Sequence, residues 1–325
     1  MRLEKGTMTE KEFQDEADRL TVLNLYTFIE SQLPAGSKAT EFLAVMSLLD
    51  DPDEQVCQAV RRKIISYGRK AVGFLHWHER NDPNPYARQS AKVIIRHFRK
   101  EAVDELLEMV KMAKEATHDI DLEASFVLLS RLGYPETDSD EVAKALDDIA
   151  LRAHALFMKA QQHNELGLLL SLNQAFFEEA EFAGAEDTAY HSPDNTYAQA
   201  LVKHKRGIPI SLCTLYLLVA ERVGINLYGV GMPAHFVVYS PELDIFIDAF
   251  NKGAFLSRED CKNFIKSAGF TFEPSMLERV SNIAILLRMI RNLIFAYSKS
   301  DHEWEVDALH ELSAAILETM NQEEQ

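Results

Sequence analysis

A mostly helical α+β protein is what this 325-residue sequence predicts, and three observations predict it. Helical patterns interrupted by acidic turns dominate the N-terminal part. Convincing β pattern is confined to one stretch, HFVVYSPELDIFIDAF, His235 to Phe250, and two amphipathic helical segments close the chain. The predicted organisation is an α-solenoid-like region over residues 1–135, a core with a small antiparallel sheet over 136–272, and a C-terminal helical hairpin over 273–325. The length suits two or three domains, each able to bury its own core. With 47% hydrophobic and 26% charged residues, 13 Gly and 10 Pro, the composition is that of an ordered, helix-rich soluble chain.

From about Thr40 to Leu132 the segments FLAVMSLLDDPDEQVCQAVRRKII and FLHWHERNDPNPYARQSAKVIIRHF share one layout. Each has an apolar helix, a turn containing Asp and Pro, and a second helix. Such a unit recurring at roughly 30 to 40 residues is the pattern of a short α-solenoid of HEAT-like kind, a packing or docking scaffold. LGYPETDSDEV, Leu132 to Val142, reads as a boundary where Gly and Pro end one helix and Ser or Asp caps the next. Two helices are expected between Glu141 and Phe182, then the polar loop GAEDTAYHSPDNT, a short helix over Asn195–His204 and another over Ile210–Val223. SREDCKNFIKSAGF is expected to be a connecting stretch. MLERVSNIAILLRMIRNLIFAYS and WEVDALHELSAAILETM give the closing tetratricopeptide-like hairpin.

The formal charge of -17 excludes unaided nucleic-acid binding, which needs clustered Lys and Arg. KHKR at Lys203–Arg206 reads as a solvated helix end. Cys57, Cys213 and Cys261 are odd in number and widely spaced, with no CxxC, which predicts a reducing, cytoplasmic setting and no structural zinc. His76 and His78 are two apart on a helix and point to different sides, so no metal pair is expected. The opening MRLEKGTMTEKEFQDEADRL lacks the apolar run of a signal peptide, and no apolar run reaches the roughly 20 residues of a membrane span. Gly253 after DAFNK suits a turn, Cys261 a buried thiol.

In HFVVYSPELDIFIDAF, Pro241 suits the first central position of a type I turn within a four-residue hairpin loop, Ser240 to Leu243. Tyr239 would then close the loop against Asp244, and His235 would lie directly across from Asp248. Phe236, Val238, Leu243, Ile245 and Ile247 would form the apolar face, leaving the polar pair on the other. An imidazole with a carboxylate that fixes its tautomer is the rear of a nucleophile, base and orienter triad, and equally a structural hydrogen bond. The front should be a nucleophile at a helix start, where free N–H groups lower a thiol's pKa. GIPISLCTLYLLVAERVG begins with Pro209, so Cys213 falls one turn inside the helix, where a small core residue is the ordinary reading.

Together, Asn195-Thr196-Tyr197, Arg206-Gly207-Ile208-Pro209-Ile210-Ser211-Leu212, LYLLVAERVGI, LYGVGMPAHFVV and FIDAFNKG resemble the SirB-type transglutaminase-like family, a bacterial group whose domain also occurs in an F-box protein. The likeness is close over about Glu141 to Phe272, and LLDDPDEQV and LLRMIRNL are similar to the family's flanks. The resemblance implies a papain-like α+β core whose active members use Cys, His and Asp. His235 and Asp248 match the last two. Counting back from Gly224-Ile225, the nucleophile's place falls at Pro209, with Ser211 and Cys213 as substitutes to be weighed. The resemblance therefore implies a module without transferase activity, needing no cofactor, that binds a protein or peptide in the old cleft near Asn195, Tyr197, Pro209 and Ser211, aided by its helical flanks. The alternative is a cysteine hydrolase or amidase using Cys213, His235 and Asp248. Neither nucleic acid nor membrane is expected as a partner, and nothing in the sequence sets the oligomeric state.

Overall fold

The computed structural model describes residues 22–299 and 303–321, so the reading of the first twenty residues as lacking a leader lies outside it. Two compact units are present, Met1–Asp104 with Arg131–Asp138, and Glu105–Ser130 with Ser139–Gln325.

The first unit contains α1 (Val22–Gln32), α2 (Ala39–Met46), α3 (Glu54–Ser66), α4 (Val72–Asn81) and the start of α5 (Pro85–Glu115). The acidic turns act as caps. Asp53 accepts from the Gln55 and Val56 amides at the start of α3, satisfying N–H groups that a helix start leaves free. Asp82 and Asn84 do the same in relay before α5, accepting from the Asn84 and Tyr86 amides. Phe42, Ile64, Leu75, Ile94 and Phe98 are buried in one core. His76 bonds Glu79 and His78 bonds Asp82, each ring on its own carboxylate.

In the second unit α6 (Leu122–Gly133, of which the part to Ser130 belongs here) and α7 (Ser139–Phe157) precede α8 (Glu165–Asn173), which runs into a π-turn over Gln174–Glu179. Asn164 caps α8 through the Gly167 amide. The loop after Phe182 holds β1 (Ala183–Gly184), which pairs in parallel with β2 (Arg206–Gly207), a bridge absent from the sequence reading. α9 (Ala198–His204) lies between them, one turn shorter at its start than expected because Pro193–Asn195 forms a separate 3-10 turn. α10 (Pro209–Val223) follows at once, with Pro at its first position and a left-handed Gly224 closing it.

β3 (Tyr228–Val230), β4 (Val237–Ser240), β5 (Ile245–Asp248) and β6 (Ala254–Leu256) form an antiparallel sheet in that order. The expected hairpin register needs correction. Ser240 pairs with Ile245 and Val238 with Ile247, so the four-residue loop is Pro241–Asp244, one position later than predicted, and each residue's partner moves by two. Asp244 takes the left-handed conformation that closes such a loop, which Asp tolerates better than most residues. The expectation of one apolar and one polar face is also corrected. α10 packs against β3 and β4, while on the face opposite Val238 and Ile247 the side chains of Val237 and Phe246 join Cys261 and Ile265 in a separate apolar cluster. That covering element is α11 (Arg258–Ser267), a helix where a connecting stretch was expected. Ser257 and Asp260 start it as a reciprocal capping box.

α12 (Asn282–Tyr297), capped by Ser281, and α13 (Glu303–Asn321) pack together as the C-terminal hairpin. Among the described residues no helix is long and apolar enough to cross a membrane.

Gly253 sits after the turn that follows β5, with φ +73, its amide donating to the Asp248 carbonyl at 2.8 Å. A Cβ there would stand 2.6 Å from both Asn173 Oδ1 and Phe177 Cε2. Gly253→Ala is therefore expected to destabilise the protein by about 2 kcal/mol or more, read from urea unfolding, through left-handed strain and collision together.

Candidate functional site

The site grows out of the bend before β4. Met232-Pro233-Ala234 turns the chain, with Ala234 at φ +61 and the His235 amide donating to the Met232 carbonyl at 3.3 Å. Arg288 of α12 braces that bend from outside: its Nη2 donates to the carbonyls of Met232 at 2.9 Å and of His235 at 2.8 Å. The imidazole is thereby delivered against the rings of Phe250 and Phe264, at centroid distances of 6.2 and 5.1 Å.

His235 Nε2 lies 2.8 Å from Asp248 Oδ2. Both side chains are buried. In the observed register they are diagonal rather than direct neighbours, since a slip of two residues preserves the face and moves the partner one position along it. Asp248 ends β5 and is held from its far side as well. Its Oδ1 accepts from the amides of Phe250 and Asn251, each at 3.1 Å, and its Oδ2 from Asn251 Nδ2 at 2.8 Å. Burial works to raise the Asp248 carboxyl, but the bonds from His235 and Asn251 outweigh it and hold the group below the ordinary carboxylate range.

A cavity of about 200 Å³ opens beside this pair, and its wall includes His235, Phe236, Ala234, Pro209, Ile210 and Arg288. The start of α10 and the imidazole thus share one small space. Pro209 is the first residue of that helix, and the Ile208 position before it provides no side-chain cap.

The remaining residues singled out in the sequence are built into the framework and are not part of that wall. Ser211 Oγ donates to the carbonyls of Asn195 at 2.6 Å and Ile208 at 3.0 Å. Asn195 Nδ2 ties down the polar loop through the carbonyls of Ala189 and Tyr190. The Tyr197 hydroxyl meets that of Tyr297 at 2.9 Å, linking α9 to α12. Cys213 is fully buried, its Sγ donating to the Phe236 carbonyl at 3.4 Å. Burial pushes its thiol far above the ordinary range, and the nearby Asp248 charge pushes the same way. Cys261, in the second sheet cluster, is pushed up to about 11, again mainly by burial.

Sequence reasoning missed Arg288, Asn251 and the contribution of Tyr190, Asn292 and Phe295 to the wall. Asn251 had a signal, because an amide three residues after an Asp can fold back on its carboxylate. Arg288 had none, since it looks like any cation on an amphipathic helix.

A helix start packed against a sheet, with a buried imidazole and carboxylate beside it, is the framework of a papain-like or transglutaminase-like core. Residues 140–291 match the family model described as the transglutaminase-like superfamily. A UPF0162 protein of Xylella fastidiosa (strain Temecula1 / ATCC 700964) is 29% identical over 196 residues, 57% of this chain and 67% of that protein. A UPF0162 protein of Vibrio cholerae is 25% identical over 192 residues, 56% of this chain and 68% of that one. F-box only protein 21 of Mus musculus is 31% identical over 137 residues, covering 39% of this chain and 21% of the mouse protein. No solved structure matches the chain.

Because the folded pKa of Asp248 lies below the unfolded value near 3.8, its contribution to stability is complete above that value and is lost as pH falls through the depressed folded value. Asp248→Asn is expected to cost about 1–3 kcal/mol at neutral pH and to flatten the acid limb of the stability profile. Thermal or urea unfolding repeated across the acidic range measures both effects, and an unchanged acid limb contradicts the assignment.

Proposed function

We propose that the chain is a SirB-type transglutaminase-like protein that performs no acyl transfer and binds a protein or peptide in the cleft where its active relatives do chemistry. The observation that carries this reading is the meeting of Pro209 and His235 on one cavity wall. The base and orienter of a triad are present, bonded at 2.8 Å, and the helix start facing them offers a residue with neither thiol nor hydroxyl. A concave site with a few fixed polar groups remains suited to holding a chain segment. The flanking helical regions, HEAT-like before the core and tetratricopeptide-like after it, supply further docking surface in this proposal.

Use of Cys213 as the nucleophile finds no support in the geometry. A thiolate is the reactive species, and both burial and the neighbouring carboxylate act against it. Its Sγ faces a backbone carbonyl. Ser211 is similarly occupied by two carbonyls rather than by a base.

Native alkylation with iodoacetamide, followed by mass spectrometry, is expected to leave Cys213 unmodified on the timescale at which an unfolded control reacts completely. Rapid, pH-dependent labelling of Cys213, with a hydrolytic activity that Cys213→Ala abolishes, would sink the proposal.

Installing the thiol where the family places it provides the complementary measurement. Pro209→Cys is expected to react with iodoacetamide at least about tenfold faster than free cysteine at mildly acidic pH, because a helix start and an imidazole both stabilise the thiolate. A thiol at that position no more reactive than free cysteine would mean that His235 does not address the helix start.

A further inference from the structure

The cavity beside His235 has an electrostatic character unlike that of the chain around it. The protein carries 51 Asp and Glu residues against 34 Lys and Arg, yet no acidic residue is among the side chains that line this space. They include a guanidinium, Arg288, two imidazoles, His191 and His235, and the neutral donors Tyr190, Ser192 and Asn292. Burial keeps the Tyr190 phenol protonated, so it can donate. The wider cleft of about 1100 Å³ elsewhere in the same unit shows the contrast: there Arg222 is clamped by Glu123 at 2.7 Å and by Asp147 at 2.6 Å.

Arg288 is the residue that decides the matter. Its Nη2 is held by two backbone carbonyls, which fixes the guanidinium plane, and among the described residues no carboxylate stands within ion-pair distance of it. A largely buried arginine remains charged, and its neighbours here supply no counter-charge. The acid nearest the site, Asp248, is engaged by His235 and Asn251. The start of α10 adds a fixed partial positive charge from N–H groups that no side chain caps, on a wall formed by Pro209 and Ile210. Arg288, the uncapped helix start and two histidines thus line one small volume.

Resting on the peptide-binding reading above, we propose that this cavity receives the carboxylate of a peptide, with Arg288 as its principal partner and the start of α10 as the second. The volume, about 200 Å³, is of the order that takes a benzene-sized molecule and matches one residue's end group rather than a folded surface. The group comes either from a chain terminus or from an acidic side chain, and the two are separable by experiment.

The isotope-labelled full chain would be titrated at neutral pH with three probes, followed by NMR shifts of the residues around the cavity. They are N-acetyl-alanyl-alanine with a free carboxylate, its carboxamide, and N-acetyl-glutamate N-methylamide. At least one carboxylate probe is expected to bind about tenfold or more tighter than the carboxamide, and whichever of the two is tighter identifies the source of the group. Arg288→Met should reduce that probe to the affinity of the carboxamide, while Arg288→Lys retains part of the advantage. Should Arg288→Met fail to fold, the wild-type salt dependence gives the same information, since the carboxylate's advantage must shrink as salt rises while carboxamide binding stays level.

Equal binding of carboxylate and carboxamide at the cavity would overturn the carboxylate inference and leave the peptide-binding reading standing. Absence of binding by all three probes, with cavity shifts still produced by peptides selected from an array, would do the same. Absence of cavity shifts with any array peptide would remove both.

Discussion

Burial of α10 is the constraint on which the second unit depends. Thirteen of its fifteen residues are buried, so the helix has no solvent face along most of its length and can neither slide nor rotate without opening the core. Such a helix must satisfy its own polar atoms. Thr214 donates to the Ile210 carbonyl, Ser211 to Asn195 and Ile208, and the Tyr216 hydroxyl to Asn173. Only at the far end does it emerge, where Arg222 is gripped by Glu123 and Asp147. These fixings set the position of the helix start against the sheet to within a fraction of a turn. They also hold Cys213, fully buried and absent from the cavity wall, about 6 Å further along the axis than Pro209.

The second half of the site is positioned by backbone devices rather than by the sheet alone. His235 lies two residues outside β4, so ladder pairing does not place it. The Pro233-Ala234 bend and the Arg288 fork do. Asp248, by contrast, is the last ladder residue of β5, pairing with Ala254, and the turn that follows wraps back onto its carboxylate through Phe250 and Asn251. Gly253 closes the same turn against the Asp248 carbonyl and offers its own carbonyl to Asn173, the residue that also accepts from Tyr216. One short path of hydrogen bonds therefore connects the buried helix to the backbone of Asp248.

How far the sequence disclosed this follows from what each signal constrains. The helices of the first unit were legible because an Asp before an apolar periodic run has a local meaning as a cap, and Asp53 acts on its own neighbours. The pairing of His235 with Asp248 was legible although the register was off by two, because alternation fixes the face of a strand and leaves its longitudinal position to the turn. Pro241 suggested the turn type, but it did not determine whether Ser240 belonged to the loop or to the strand. α11 escaped notice because its apolar positions, Cys261, Phe264 and Ile265, are few and flanked by charge, although Ser257 and Asp260 carried the capping spacing. Missing α11 led to the expectation of a polar second face, whereas that face is covered. β1 and β2 were illegible for a plainer reason, since a two-residue parallel bridge has no periodicity to read.

A buried imidazole and carboxylate do little for stability by themselves, because desolvation offsets much of their attraction and an apolar pair of similar volume often serves as well. Structural need alone is thus a poor account of a pair held by Asn251, by two backbone amides and by two aromatic contacts to the imidazole. What these supports achieve is orientation. With Nε2 bonded to Asp248, the His235 ring is held in one attitude, and the residue forms part of the cavity wall. In an enzyme that attitude would serve a thiol at the helix start. With Pro209 there instead, the space lined by Arg288 and the uncapped start of α10 holds no nucleophile at the helix start, and its fixed positive character suits an anionic group. Geometry arranged to stabilise a developing negative charge stabilises a permanent one equally well, so retaining the framework of this core does not depend on retaining a nucleophile.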